Sequence, residues 1–341
     1  MALILSTSIT DAIPAPAHRP FLNPSAVLAI VSITAPIFLL IALGFVAVRA
    51  GWMSREGTLA MGRYVLFFAL PALLFNALAR RPLDEIIVPS FLLVYVPGSL
   101  LAFVIGVGVA TAVRRTPVLD NAFFGMGVSM SNSGYIGYAL VAQILGSKAL
   151  IAVAMTILTE VLVIMPLTLM LAEFHAHRGR HSLRETLVKV LRLVAGNPIL
   201  IAIAAGLLCA GLELHPPALL GRTIDLLAGS AAAVALFAIG GTLARQRLNE
   251  GLSAALAIAA GKLLIHPAAV LLMLALVPAF DPTLTQAAVI LAGLPMVTLF
   301  PLLAERYGQG EFCASALLLT TALSFFTLNL GLWLFGIGLG D

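Results

Sequence analysis

Ten stretches of this chain read as long apolar runs cut off by charged or turn-forming residues, at 26–48, 58–79, 86–110, 119–145, 149–172, 194–212, 219–243, 252–277, 283–304 and 312–337. A bilayer core about 30 Å thick needs about 20 apolar residues at about 1.5 Å each, so every run is long enough to span. The pattern predicts an all-α integral membrane protein with ten transmembrane helices. It divides into a leader at 1–25, a first set of five spans at 26–172, a basic loop at 173–193 and a second set of five at 194–341. The leader holds Asp11, Arg19 and several prolines; its apolar stretch is short and lacks a basic start, unlike a cleaved signal peptide.

Composition agrees. Of 341 residues, 61% are hydrophobic and 10% charged, against roughly 25% charged in a soluble domain, and the mean hydropathy is +1.09. These values exclude a water-soluble enzyme, a disordered chain and a nucleic-acid binder. Cys209 and Cys313 both lie in apolar runs and supply neither a disulfide framework nor a metal-ligand spacing. Lysine and arginine in the loops set the orientation. With the N-terminus outside, thirteen basic residues fall on the inner side and five on the outer. That predicts both termini outside, the 173–193 loop in the cytoplasm, and residence in the cell inner (plasma) membrane.

The two sets of spans are weakly alike. Pro36 to Gly44 matches Pro198 to Gly206 at an offset of 162, Ala69–Ala72 matches Ala235–Ala238 at 166, and Leu140–Gly146 matches Leu302–Gly308 at 162. Val96-Pro97 and His266-Pro267 correspond at 170. Five is an odd number, so two like-folded halves must enter the membrane from opposite sides. Inverted repeats of this kind characterise secondary transporters, whose sites lie near the midplane between interrupted helices.

Two spans are interrupted. The fourth carries Ser129-Met-Ser-Asn-Ser-Gly-Tyr-Ile-Gly-Tyr138, and the ninth Gly293-Leu-Pro-Met-Val-Thr-Leu-Phe-Pro301. Within a helix Gly costs about 1 and Pro about 3 kcal/mol relative to Ala. In lipid, irregular backbone survives only when buried in protein or lining a wet cavity. The expectation is a crossing of half-helices whose N-terminal N–H groups hold an anion. Asn132 leads the candidates, because an amide donates to a carboxylate and accepts from a hydroxyl. Ser131, Ser133, Gly134, Tyr135, Gly137, Pro295 and Thr298 complete the expected substrate site. Packing between helices is the alternative role of each, since membrane helices also use Gly and Pro to approach closely.

The pieces Phe68-Ala-Leu-Pro-Ala-Leu-Leu-Phe75, Asn132-Ser-Gly-Tyr-Ile-Gly137, Asn197-Pro198, Ala235-Leu-Phe-Ala-Ile-Gly240, Lys262-Leu-Leu-Ile-His-Pro267 and Leu303-Ala-Glu-Arg-Tyr-Gly308 resemble the auxin efflux carrier family. That family includes the plant PIN carriers and bacterial malate and malonate permeases. The resemblance implies two inverted five-helix repeats with crossovers in spans four and nine, similar to the bile acid:sodium symporter fold. It also implies a scaffold, an elevator-type transport part and a homodimer. The family's crossover asparagine falls on Asn132 and its following glycine on Gly137. Two departures stand out: Ala139 replaces a common proline, and Thr298-Leu299 replaces a frequent Thr-Asn pair. The second half-site is therefore more apolar here, and an amphipathic or aromatic carboxylate fits as well as a small dicarboxylate.

Glu160, Lys262 and His266 sit at membrane depth, where charges are costly and face the bundle interior. They are the coupling or gating candidates, together with Pro71 in span two. Lys262 and His266 are four apart and share a helix face, although Lys262, near the cytoplasmic start of its span, can also snorkel outward. Either H+ or Na+ would serve as coupling ion; no cofactor, metal site or nucleic-acid partner is expected, and membrane lipid surrounds the spans. No Walker loop, HExxH or Gly-x-Ser-x-Gly motif is present, so catalysis is not expected. The reading is a secondary transporter of an organic anion. Its rivals are a bile-acid-type sodium symporter, a cation/proton antiporter and a non-transporting membrane sensor or assembly partner.

Overall fold

The computed structural model describes residues 24–114, 121–176, 188, 191–192, 194–214, 216–246 and 252–337. Most of the leader and of the 173–193 loop, with several of the arginines used for orientation, lies outside these residues. Every regular element among the described residues is helical. In chain order they are α1 (Pro24–Arg49), α2 (Arg55–Ala79), α3 (Pro89–Arg114), α4 (Ala122–Ser129), α5 (Tyr138–Leu145) and α6 (Ser147–Phe174). The second half holds α7 (Pro198–Gly211), α8 (Ala218–Leu243), α9 (Leu252–Leu276), α10 (Pro282–Ala292), α11 (Phe300–Glu305) and α12 (Gly310–Phe335).

Seven of these helices are long and apolar enough to cross a membrane: α1, α2, α3, α6, α8, α9 and α12. The predicted run at 119–145 is two short helices separated by extended backbone and a wide turn, and the run at 283–304 is α10 and α11 separated by seven irregular residues. The run at 194–212 becomes the 14-residue α7, started by Asn197, whose side chain accepts from the Ile199 N–H, with Pro198 in the first turn. One boundary needs correction. Residues 173–176, which the sequence reading puts in the basic loop, are helical and belong to the segment Met165–Ala176, because Leu171, Ala172 and the residues that follow contain no Gly or Pro to stop the helix at 172.

Three membrane helices widen at the same place relative to a proline. Turns closed by i→i+5 hydrogen bonds occupy Val65–Ala69, Glu160–Ile164 and Gly261–Ile265, each starting six residues before Pro71, Pro166 or Pro267. A proline has no N–H and its ring presses on the preceding turn. Widening that turn relieves the clash while the helix continues. Glu160 and Lys262 lie in two of these turns.

The helices sort into two packed groups. In one, α1 packs on α8, α7 on α2, and α2 on α8; in the other, α3 packs on α9 and α4, α9 on α10 and α12, and α6 on α10. Exposed leucines and phenylalanines such as Leu39, Leu93, Leu226 and Phe326 cover the outside, as suits a lipid-facing surface. The α1–α8 contact is the tightest. A Cβ placed on Gly44 would lie 2.0 Å from the Phe237 carbonyl oxygen, and one on Gly240 would lie 1.8 Å from that of Ile41. Small residues let membrane helices meet backbone to backbone.

Candidate functional site

The two irregular segments meet. The Asn132 N–H donates to the Pro295 carbonyl at 2.8 Å, and its side-chain Nδ2 donates to Thr298 Oγ1 at 2.9 Å. These bonds answer the question the sequence raises. A backbone group freed at membrane depth costs about 1–3 kcal/mol if left unpaired, and each break supplies partners for the other. Gly137 brings the segments into contact a second time, because a Cβ there would lie 2.7 Å from Leu291 Cδ2 and 2.8 Å from Leu294 Cδ1. Its N–H closes the wide turn Ser133–Gly137 by donating to the Asn132 carbonyl at 2.9 Å. The opening turn of any helix leaves N–H groups without an intrahelical acceptor, and here that turn follows directly on Asn132, the residue that bonds the second segment.

Behind the crossing lies a buried polar network. Glu160 Oε1 accepts from the Ser131 N–H at 2.7 Å and from Ser133 Oγ at 2.9 Å. Lys262 Nζ donates to Ser131 Oγ at 2.8 Å and to the Ala292 carbonyl at 2.7 Å, and lies 2.7 Å from His266 Nδ1. His266 Nε2 is 3.0 Å from Ser99 Oγ. Lys262 and His266 have no exposed surface, and Glu160 and Asn132 are almost as deep. A charge so placed persists only with its hydrogen-bonding capacity filled, which is what these bonds do. Ser131 is the common element, held by the carboxylate through its N–H and by the ammonium through its hydroxyl.

The structure therefore gathers most of the residues singled out from the sequence. Ser131, Asn132 and Ser133 are buried at the crossing, while Gly134, Tyr135, Tyr138 and Thr298 on its rim are half-buried. Glu160, Lys262 and His266 converge just behind it. Snorkelling by Lys262 is overturned: the side chain is fully buried and turned inward, because three acceptors wait there and none of them lies at the membrane surface. Pro71 acts one residue away. It follows the wide turn in α2, and its neighbour Leu70 packs under Gly134, where a Cβ would lie 2.8 Å from Leu70 Cδ2.

Sequence reasoning missed four participants. Ser99 and Tyr95 come from α3, the latter with its ring edge-on to His266 at 5.7 Å between centroids and a buried hydroxyl that has no hydrogen-bond partner. Thr156 also carries a buried unpartnered hydroxyl, and the Ala292 carbonyl ends α10. None of the four carries a signal in the sequence; the readable one, a proline two residues past the end of three of the wide turns, points to Glu160 and Lys262 instead. Among the described residues no group of three or more His, Cys, Asp or Glu is placed to hold a metal ion.

Exposed or partly exposed charges tie helices together away from this network. Arg80 bridges Asp225 at 2.6 Å, and Lys148 bridges Asp281 at 2.5 Å. Asp281 also caps α10, accepting from the Leu284 N–H at 3.1 Å. Partial burial pushes its carboxyl up, but the Lys148 bond and the helix N–H groups outweigh this and hold it below the ordinary carboxylate range. Tyr307 donates to Glu173 at 3.3 Å.

The sequence profile of the family described as "Membrane transport protein" matches residues 29–332. A protein of Rhizobium meliloti (strain 1021) named "Putative malonate transporter" is 32% identical over 302 residues, covering 88% of this chain and 94% of that protein. An "Uncharacterized transporter" of Methanothermobacter thermautotrophicus (strain Delta H) is 26% identical over 300 residues, covering 86% of this chain and 94% of its own length. A match over this extent, on a multi-pass bundle of apolar helices, settles the class: the chain belongs to the membrane transport protein family, that of the auxin efflux carriers, and is a transporter rather than an enzyme.

Proposed function

We propose that this protein is a secondary transporter of a small organic anion, with the substrate carboxylate held at the crossing of the 130–137 and 293–299 segments. The observation that carries this reading is the pair of Asn132 bonds, N–H to Pro295 and Nδ2 to Thr298, which join the two interruptions at membrane depth. The Nδ2 bond to a half-buried hydroxyl is one that an arriving carboxylate can replace with a charge-assisted bond. The N–H groups of the Ser133–Gly137 turn lie alongside, at the positive end of the half-helix that continues through α5. Malonate, the anion in the name of the Rhizobium relative, is the first substrate to test. The apolar Leu299 at the second break argues for including aromatic monocarboxylates beside it.

In the same reading the chain makes ten spans, counting α4 with α5 and α10 with α11 as one broken span each, in two inverted five-helix repeats. Reciprocal packing supports this. Exchanging each first-half helix for the one six labels on turns α1–α8 into α7–α2, α3–α4 into α9–α10, α3–α6 into α9–α12 and α5–α6 into α11–α12, and all of these pairs pack together. The group of α1, α2, α7 and α8 would be the scaffold, through which two copies would pair, and the remainder the part that moves as an elevator. The excess of loop Lys and Arg on one side supports an inner-membrane protein with both termini outside. Glu160, Lys262, His266 and Pro71 remain the coupling or gating candidates.

The test is uptake by proteoliposomes. Radiolabelled malonate and a panel of aromatic and aliphatic carboxylates are offered to the wild type and to Asn132→Ala, with sodium and pH gradients imposed separately. Saturable uptake of at least one carboxylate by the wild type is expected, reduced at least about tenfold in the variant, since a hydrogen bond to a charged group is worth about 1.5–3 kcal/mol. Equal uptake by a normally inserted variant overturns the site, and no carboxylate flux at all overturns the substrate class.

A further inference from the structure

The Lys262 ammonium has three N–H bonds and three partners, Ser131 Oγ, the Ala292 carbonyl and His266 Nδ1, all within 2.7–2.8 Å. Ala292 is the last residue of α10, so the ammonium sits on the negative end of that half-helix. Glu160 holds Ser131 from the opposite side, through its N–H. The ion pairs found among the described residues all lie elsewhere, so Lys262 and Glu160 are joined through Ser131 and not by direct contact. The hydrogen-bond pattern assigns His266 as neutral, accepting at Nδ1 from the ammonium and donating from Nε2 to Ser99 Oγ at 3.0 Å. The aromatic ring packed edge-on against His266, Tyr95, carries no positive charge. The ammonium is thus the one cation in the network.

A carboxylate, a hydroxyl and a carbonyl at the carboxyl end of a half-helix form the oxygen set that broken-helix carriers offer to an alkali cation. Here a nitrogen cation on a flexible stem contacts the hydroxyl and the carbonyl of that set directly and the carboxylate through Ser131. We propose that Lys262 is a tethered counter-cation filling the alkali-cation position of the crossing, so that transport proceeds without sodium. Removing the ammonium unmasks a sodium or lithium site built on Ser131 Oγ and the Ala292 carbonyl, with the Glu160 carboxylate behind Ser131 as its counter-charge. The inference deepens the transport reading above by naming its ion dependence, and its uptake arm rests on that reading; its binding arm does not.

The experiment compares sodium chloride, lithium chloride and choline chloride at equal ionic strength, by thermal unfolding of the purified full chain and by the carboxylate uptake assay. Wild type is expected to unfold at the same temperature in all three salts and to transport within twofold of the same rate. Lys262→Ala is expected to unfold several degrees lower in choline and to recover part of that loss in sodium or lithium. Several-fold faster wild-type uptake in sodium overturns the proposal, as does a monodisperse Lys262→Ala protein whose unfolding ignores the cation. If Lys262→Ala is not recovered, the double variant Lys262→Ala, Glu160→Gln decides. Its recovery supports the proposal, because the cation is needed only where the carboxylate remains, and its loss overturns it. Absence of uptake in every medium would sink the transport reading alone, leaving the unfolding comparison to judge the cation.

Discussion

The two helix interruptions solve one problem by opposite means. The first, at 130–137, is polar in its own right: Ser131, Asn132 and Ser133 bring donors and acceptors, and Glu160 and Lys262 stand behind them. The second, at 293–299, is mostly apolar. Leu294, Pro295 and Met296 are buried, and its neighbourhood contributes two carbonyls, of Ala292 and Pro295, that are satisfied from outside by Lys262 and Asn132. One break carries chemistry and the other carries shape. The lesson is that the second depends on groups outside itself: its Ala292 carbonyl relies on the Lys262 side chain and its Pro295 carbonyl on the Asn132 N–H.

The strongest way to break this dependence is to remove the shared cation. Lys262→Met should lower stability by about 3–5 kcal/mol, the usual cost of leaving a buried charge uncompensated. The double variant Lys262→Met, Glu160→Gln should cost distinctly less, as read by denaturant unfolding in detergent. A double variant as damaged as the single one would mean that the two charges are not coupled through Ser131. Next in size is the contrast between Asn132 and Thr298. Asn132→Ala should cut uptake at least about tenfold, whereas Thr298→Val, which removes the lesser partner of one bond, should cut it only severalfold. Leu299→Asn sharpens the comparison further by making the second break polar, and the ratio of malonate to aromatic carboxylate uptake should rise. Glycines give a third contrast. Gly137→Val must displace Leu291 and Leu294 and should cost about 1–3 kcal/mol. Gly293→Ala, whose Cβ would meet nothing nearer than 3.5 Å, should be close to neutral.

The smallest effect tests the far end of the half-helix that leads into the second break. Asp281→Asn loses the Lys148 pair and a charged cap on α10, a change of about 1 kcal/mol or less for a group so near the surface. Because the folded carboxyl titrates below its ordinary range, its contribution is complete at neutral pH and is lost as pH falls through the folded pKa. The difference in unfolding temperature between wild type and variant should therefore shrink below about pH 4. A constant difference across that range would assign the effect to packing.

The breaks themselves were legible because glycine, proline and clustered polar residues are conspicuous in a run that is otherwise apolar. Asn132 and Thr298 were chosen separately from the two breaks, and they prove to be bonded to each other. The joint between Glu160 and Lys262 was not legible. Each lies in a helix apolar on nearly every side, so the sequence has no polar face from which to read where a side chain points. Only the wide turns set by Pro166 and Pro267, which reorient these residues, would have hinted at it. Ser99 and Ala292 were missed for a related reason: a lone serine and a main-chain carbonyl look the same in sequence whether or not an ammonium is nearby. The placement of Lys262 near a membrane surface failed on span geometry, since its helix runs from Leu252 to Leu276 and the residue lies well inside.

At the Gly44 and Gly240 contact, two carbonyl oxygens occupy the places where methyl groups would otherwise stand. Advancing one helix along the other by a single residue, about 1.5 Å, would drive a side chain into main chain. α1 and α8 are in effect riveted, and the two helices can shift only together, as one body.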